Sequence, residues 1–308
     1  MSKVAYIFPG QGSQYVEMGL DLYDKFSSAK EIFDRADEVL GFPLSKLCFE
    51  GPEDELTLTM NAQPALLTMS FACLFTARRK IPDILPPADF VAGHSLGEYT
   101  ALTAAGAISF DTAVRLAHIR GQLMYNSGKE TIGTMAAIIG MEQLELRNIC
   151  KETGVWMANI NCPGQIVISG DVEGIANASK LAKERGAKLA MPLQVSGAFH
   201  SPLMQSAEDN FADILSEQEI KIPDIPIIGN TRAQIIDSSG EVRSELMAQL
   251  CGCVQWQKTV EVLLEKGVTT FIEIGPGDVL GGMIRRINKE VKILKIEDVN
   301  DILNFSYS

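Results

Sequence analysis

The run Gly93-His94-Ser95-Leu96-Gly97 constrains this chain more than any other five residues. It follows a short apolar stretch, 90–92, and precedes a helix-forming run over 98–105. A serine with glycine two residues away on each side, between a strand and a helix, predicts a sharp turn. Such a turn lifts the hydroxyl to a helix N-terminus, where the dipole and free N–H groups favour negative charge. The glycines have a steric reason, because a side chain at either place would meet the strand or the helix. G-x-S-x-G arises by chance in roughly one chain in ten of this length, given ordinary glycine and serine usage. A purely structural turn is therefore the alternative, and the rest of the chain must decide.

Strand-like and helix-like segments alternate along the 308 residues, which predicts an α/β fold. Residues 4–8 read as a buried strand ending in Pro9-Gly10-Gln11-Gly12-Ser13, and 270–274 as another ending in Gly275-Pro276-Gly277. Pro64 suits the first turn of a helix running to about residue 79. The middle has a different rhythm. Strands at 135–139, 155–160, 165–169 and 188–195 alternate with helices at 142–152 and from Asp171 to near Gly186. The order β-α-β-β-α-β is ferredoxin-like. The expected architecture is an α/β-hydrolase-like core with a mostly parallel sheet, 1–128 and 197–308, and an inserted ferredoxin-like subdomain, 129–196.

With 27 basic and 39 acidic residues the net charge is −12, which argues against nucleic acid as a partner. The N-terminus runs straight into a strand, so no secretory signal is expected. No apolar run approaches the ~20 residues of a membrane helix. The six cysteines are scattered and only three histidines exist, so neither a metal site nor disulfides are expected. A cytoplasmic setting, no membrane partner and a monomer are the simplest expectation.

A nucleophilic serine needs a base, usually histidine. His94 adjoins Ser95 and should point away from it. His118, on a helix over 110–124, falls opposite the apolar stripe of Leu116, Ala117 and Met124 and should face solvent. That leaves His200, in the loop Gly197-Ala198-Phe199-His200-Ser201. The turn Pro9-Gly10-Gln11-Gly12 lacks the pattern of a dinucleotide loop or a P-loop. It is read instead as half of an oxyanion hole, the N–H of Gln11 joining that of Leu96.

On the same helical wheel Arg120 lands in the middle of the apolar stripe. A buried guanidinium must meet an anion. Either an internal carboxylate pairs with it, or its planar fork grips the carboxylate of a substrate.

These segments together resemble the malonyl-CoA:acyl carrier protein transacylases, a family that shares its acyltransferase fold with polyketide synthases. The likeness rests on Phe8-Pro9-Gly10-Gln11-Gly12-Ser13-Gln14, Gln63-Pro64-Ala65, Gly93-His94-Ser95-Leu96-Gly97-Glu98-Tyr99 and Arg120-Gly121 in the first half. It continues through Asn159-x-Asn161-x-Pro163-x-Gln165, Gly197-Ala198-Phe199-His200-Ser201, Val254-Gln255-Trp256 and Glu273-Ile274-Gly275-Pro276-Gly277. The resemblance implies that Ser95 carries the malonyl group, His200 is the base, Gln11 and Leu96 stabilise the oxyanion, and Arg120 holds the malonyl carboxylate. It further implies that a main-chain carbonyl orients the histidine, at the position matched by Gln255. Asn161 matches a polar pocket residue, and Phe199 beside His200 looks like the malonyl-selecting form. The implied substrates are malonyl-CoA and the phosphopantetheine thiol of acyl carrier protein, with no cofactor and no metal. The tail after residue 296 carries no such likeness. The rival readings are a serine esterase or thioesterase, a free-standing acyltransferase of a polyketide synthase, and a non-catalytic module.

Overall fold

Among the described residues, 2–307 of a computed structural model, ten strands form two sheets. In chain order they are β1 (Lys3–Phe8), β2 (Phe90–Gly93), β3 (Thr134–Ile139), β4 (Trp156–Cys162), β5 (Gln165–Gly170), β6 (Leu189–Pro192), β7 (Ile227–Ile228), β8 (Ile235–Ile236), β9 (Val268–Ile274) and β10 (Lys292–Ile296). The larger sheet has the order β10-β9-β1-β2-β7-β8. Its pairs are parallel except β7 with β8. The smaller sheet, β4-β5-β3-β6, is antiparallel throughout. The α/β class and the mostly parallel sheet are as the sequence predicts.

The larger sheet is covered on two faces, and the smaller on one and part of the other, where Leu189 and Met191 of β6 stay exposed. Along β1, Val4, Tyr6 and Phe8 enter one apolar cluster while Ala5 and Ile7 enter another. A continuous apolar run is what a doubly covered parallel strand requires. In the smaller sheet Ala136 and Ile138 pack under its own helices, and Met135 and Ala137 join the main cluster. The helices there are Gln143–Thr153 and Val172–Glu184, the second capped by Asp171, whose carboxylate accepts from Gly174 N at 2.8 Å.

Two elements depart from expectation. The strand foreseen over 188–195 stops at Pro192, a residue that suits an edge strand, with one more bond to β3 from Leu193 N to Met135 O at 2.9 Å. Leu193, Gln194 and Val195 turn instead to the central cleft. The helix around Pro64 begins earlier, at Thr59–Lys80, so the proline lies inside it. Its missing N–H frees the carbonyl of Met60, and His118 Nδ1 donates to that oxygen at 2.9 Å. His118 is thus half-buried between helices rather than solvent-facing. No helix of the described residues is long and apolar enough to cross a membrane.

Candidate active site

β1 and β2 run side by side, Phe8 level with Gly93, and end together. The turns that follow them therefore meet beyond the carboxyl edge of the parallel sheet, the usual place for a site in such folds. The turn after β2 carries Ser95 at φ +50°. A Cβ on Gly93 would lie 1.9 Å from the Gly97 carbonyl carbon, and one on Gly97 would lie 2.1 Å from the Phe8 oxygen. Only glycine fits at either place. Asn230, just past β7, braces the turn from outside. Its Oδ1 accepts from Ser95 N and its Nδ2 donates to the Gly93 oxygen, both at 2.7 Å.

Ser95 Oγ lies 2.8 Å from His200 Nε2. His200 Nδ1 lies 2.8 Å from the Gln249 carbonyl oxygen, which can only accept. The proton of a neutral ring therefore sits on Nδ1, and Nε2 keeps the lone pair that faces the serine hydroxyl. Burial, and then the charge of Arg120, push His200 down to about 3, against the pull of the Gln249 carbonyl. The imidazole is neutral at pH 7. The carbonyl is that of Gln249, in the last turn of the helix Ser239–Cys251, not of Gln255. Last-turn carbonyls lack helical partners, which leaves this one for the imidazole. Gln255 caps the next helix, and its own N–H is bonded to Asn230 O at 2.7 Å.

Arg120 is 1% exposed, as the helical wheel requires. No carboxylate of the described residues touches it. NH1 donates to Gln63 Oε1 at 2.6 Å, and NH2 to Gln249 Oε1 at 2.9 Å and to Ser95 Oγ at 3.2 Å. Its Nε has no partner among the described residues. Gln63 continues to Thr59 at 2.8 Å, and Thr59 donates to Gln11 Oε1 at 2.8 Å. One chain of bonds thus joins the guanidinium to the turn after β1. Behind Arg120, the fully buried Glu98 accepts from Gln249 Nε2 and from Asn230 N. Burial and the nearby Glu245 push the Glu98 carboxyl up, and the two N–H donors and Arg120 oppose that rise.

The cleft above the serine has a volume of about 280 Å³. Gln11, Leu96, Arg120, Phe199 and His200 all reach it. The main-chain N–H groups of Gln11 and Leu96 donate to no acceptor among the described residues. Asn161 does not line the cleft. It is buried beneath His94, its Oδ1 2.9 Å from His94 Nε2, so that His94 stands between it and the opening. A register shift in β4 between Ile160 and Cys162 takes Asn161 out of the face that Asn159 holds, and Asn159 is the one that faces the cleft. His94 itself turns away from the serine, edge-on to Trp256.

The acyl transferase domain family matches residues 5–301. The chain belongs to that family. The acyl transferase is 48% identical to the malonyl CoA-acyl carrier protein transacylase of Bacillus subtilis, over 98% of this chain and 96% of that one. The protein of the same name from Staphylococcus aureus is 41% identical, with 98% of each chain covered. An acyl carrier protein S-malonyltransferase from Vibrio cholerae superposes with a TM-score of 0.94 at 39% identity, covering 98% of this chain and 99% of that chain. A malonyl-transacylase in complex with its type II PKS acyl-carrier protein gives the same TM-score and identity, over 98% of both chains. The family match also takes in the tail to residue 301, a stretch in which the motifs show no likeness.

Four residues hold the site of this acyl transferase together without a functional signal of their own in the sequence: Gln63, Glu98, Asn230 and Gln249. Gln63 and Glu98 stand inside recognisable motifs, so a polar residue in an apolar setting is the available signal. Asn230 and Gln249 lie in stretches with no pattern, and only the tertiary fold brings them to Ser95.

Proposed function

We propose that this acyl transferase moves the malonyl group of malonyl-CoA to the phosphopantetheine thiol of acyl carrier protein, through a malonyl ester on Ser95. The observation that carries the reading is Arg120: a buried guanidinium 3.2 Å from the nucleophile, with no internal carboxylate on it. A serine esterase acting on neutral acyl groups has no use for such a charge, whereas an acyl group that ends in a carboxylate supplies its missing partner.

Ser95 Oγ attacks the thioester carbonyl while His200 Nε2 takes the hydroxyl proton. The N–H groups of Gln11 and Leu96 stabilise the tetrahedral oxyanion. Collapse expels the thiolate of coenzyme A, which takes the proton from His200. The thiol of the carrier protein then gives its proton to His200 and attacks the malonyl ester, and Ser95 Oγ leaves, taking that proton back from His200. Phe199 forms the apolar wall beside the acyl group, and the Gln249 carbonyl holds the ring of His200. Asn161 supports His94 rather than the substrate. The chemistry calls for no cofactor or metal. We further read 1–128 with 197–308 as a hydrolase-like core and 129–196 as a ferredoxin-like insertion that closes the cleft, in a cytoplasmic enzyme supplying fatty acid synthesis.

The test is incubation with malonyl-CoA, then with holo acyl carrier protein, followed by intact-mass analysis of both proteins. The expected result is a malonyl adduct on the enzyme that maps to Ser95, is absent from Ser95→Ala, and moves to the carrier. Hydrolysis to free malonate with no labelled carrier would instead make the protein a thioesterase.

A further inference from the structure

The direction of every hydrogen bond behind Arg120 is fixed from both ends. A guanidinium only donates, so the Gln249 atom 2.9 Å from NH2 is the amide oxygen, and the amide nitrogen faces Glu98. At the far end the main-chain N–H of Asn230 donates to the other Glu98 oxygen at 3.2 Å. That N–H has no freedom to turn, because the Asn230 side chain is bonded to Ser95 N and to Gly93 O. The group at position 98 must therefore accept twice. A carboxylate does this. A carboxamide does not, because one of its two ends is a donor. Its oxygen would take Asn230, and its NH2 would face the Gln249 NH2, donor against donor, forcing that amide to turn over and to lose its bond to the Ser95 carbonyl at 2.9 Å as well. Gln249 would then point donors at the donors of Arg120.

We propose that Glu98 is a positioning residue for acyl-group selection: by accepting from Asn230 and Gln249 it keeps Gln249 Oε1 on Arg120, and so holds the guanidinium toward Ser95. This rests on the reading of Arg120 as the carboxylate clamp. Glu98 is fully buried and does not line the cleft, so it acts through Gln249 and Asn230; the Asn230 route runs to the Ser95 turn, which every acyl donor shares and the malonyl-to-acetyl ratio cancels. The relay also explains why the acidic side chain stands one amide away. A carboxylate bonded directly to Arg120 would occupy the donors that the incoming acyl group needs.

The experiment compares wild type, Glu98→Gln, Glu98→Asp and Arg120→Ala. For each, kcat/KM is measured with malonyl-CoA and with acetyl-CoA as donor, with the carrier protein as acceptor. The malonyl-to-acetyl ratio is read within one preparation, so inactive protein cancels. Arg120→Ala should collapse the ratio. Glu98→Gln should lower it about tenfold or more, chiefly through KM for malonyl-CoA. Glu98→Asp, which keeps two acceptors, should lower it less than Glu98→Gln. A packing role would rank the variants the other way, since Gln matches Glu in size. A Glu98→Gln ratio within about twofold of wild type overturns the proposal, as does a Glu98→Asp ratio below that of Glu98→Gln. If Arg120→Ala keeps the wild-type ratio, the clamp reading fails and takes this proposal with it. If Arg120→Ala loses the ratio while Glu98→Gln retains it, the role of Glu98 alone is overturned.

Discussion

Ser95 and His200 face each other at 2.8 Å, and both hold left-handed backbone, φ +50° and +56°. For residues other than glycine this costs about 1–2 kcal/mol each. The surrounding structure has to impose it. At Ser95 the imposing parts are the two glycines that let strand and helix close on the turn, and the Asn230 brace. At His200 a ring contact with the Gln249 carbonyl does the same from one side.

Gly93→Ala should therefore be far more damaging than substitution of a glycine that is merely left-handed. Its Cβ would overlap backbone at 1.9 Å, beyond the ~1–3 kcal/mol of ordinary overpacking. Gly41, at φ +73° with nothing within 4 Å of where a Cβ would stand, should cost only about 1–2 kcal/mol as alanine. Denaturant midpoints of the two variants check this. Equal losses would mean that the elbow has room it does not show.

The pH profile should lack an inflection near the ordinary imidazole value. His200 is pushed down to about 3, so its neutral, base-competent form persists well below pH 6.5. kcat/KM for malonyl-CoA should stay level from pH 8 to about 5. Rates that halve near pH 6.5 would show that the base is solvated in the working enzyme.

The same shift has a consequence for stability, of known sign. Between pH 6.5 and about 3 the unfolded chain binds a proton at His200 that the folded chain refuses. This contribution is fully present above 6.5 and is lost as pH falls. Wild type should lose up to about 1.4 kcal/mol per pH unit more than His200→Gln on acidification below 6.5. His94 is shifted in the same direction by burial, but it is present in both proteins and cancels. Urea unfolding at pH 7, 6 and 5 gives the difference; parallel curves would contradict it.

Asn161 and Gln255 should behave as supports. Asn161→Ala leaves the buried His94 without its partner and should cost about 1–3 kcal/mol of stability. KM for malonyl-CoA should change little. Asn159→Ala, in the cleft wall, should do the reverse. Gln255→Ala should leave kcat and its pH dependence nearly unchanged, because the carbonyl on His200 belongs to Gln249. A Gln255→Ala variant with crippled kcat would restore the position implied by the resemblance.

Arg120→Lys should fail as a conservative change. Lysine keeps the charge but cannot reach Gln63, Gln249 and a carboxylate from one planar fork. KM for malonyl-CoA should rise about tenfold or more, with acetyl transfer much less affected. Retention of wild-type KM would show that charge alone selects the acyl group.

What the sequence by itself determined is local chemistry and its period. Gly93 and Gly97 specify the turn at Ser95, because no other residue fits those two places. Helical spacing puts Arg120 among apolar neighbours, because 100° per residue holds wherever a helix forms. His200 emerges because only three histidines exist. What only the tertiary structure decided is which groups complete them. Gln249 and Asn230 lie 154 and 135 residues from Ser95 along the chain, and no local pattern marks either one. The choice of Gln249 over Gln255, and of Asn159 over Asn161 for the cleft, turns on where a helix ends and where a strand bulges. Those depend on packing between distant segments, which set the direction of a carbonyl or an amide by a residue or two, a precision that period and composition do not carry.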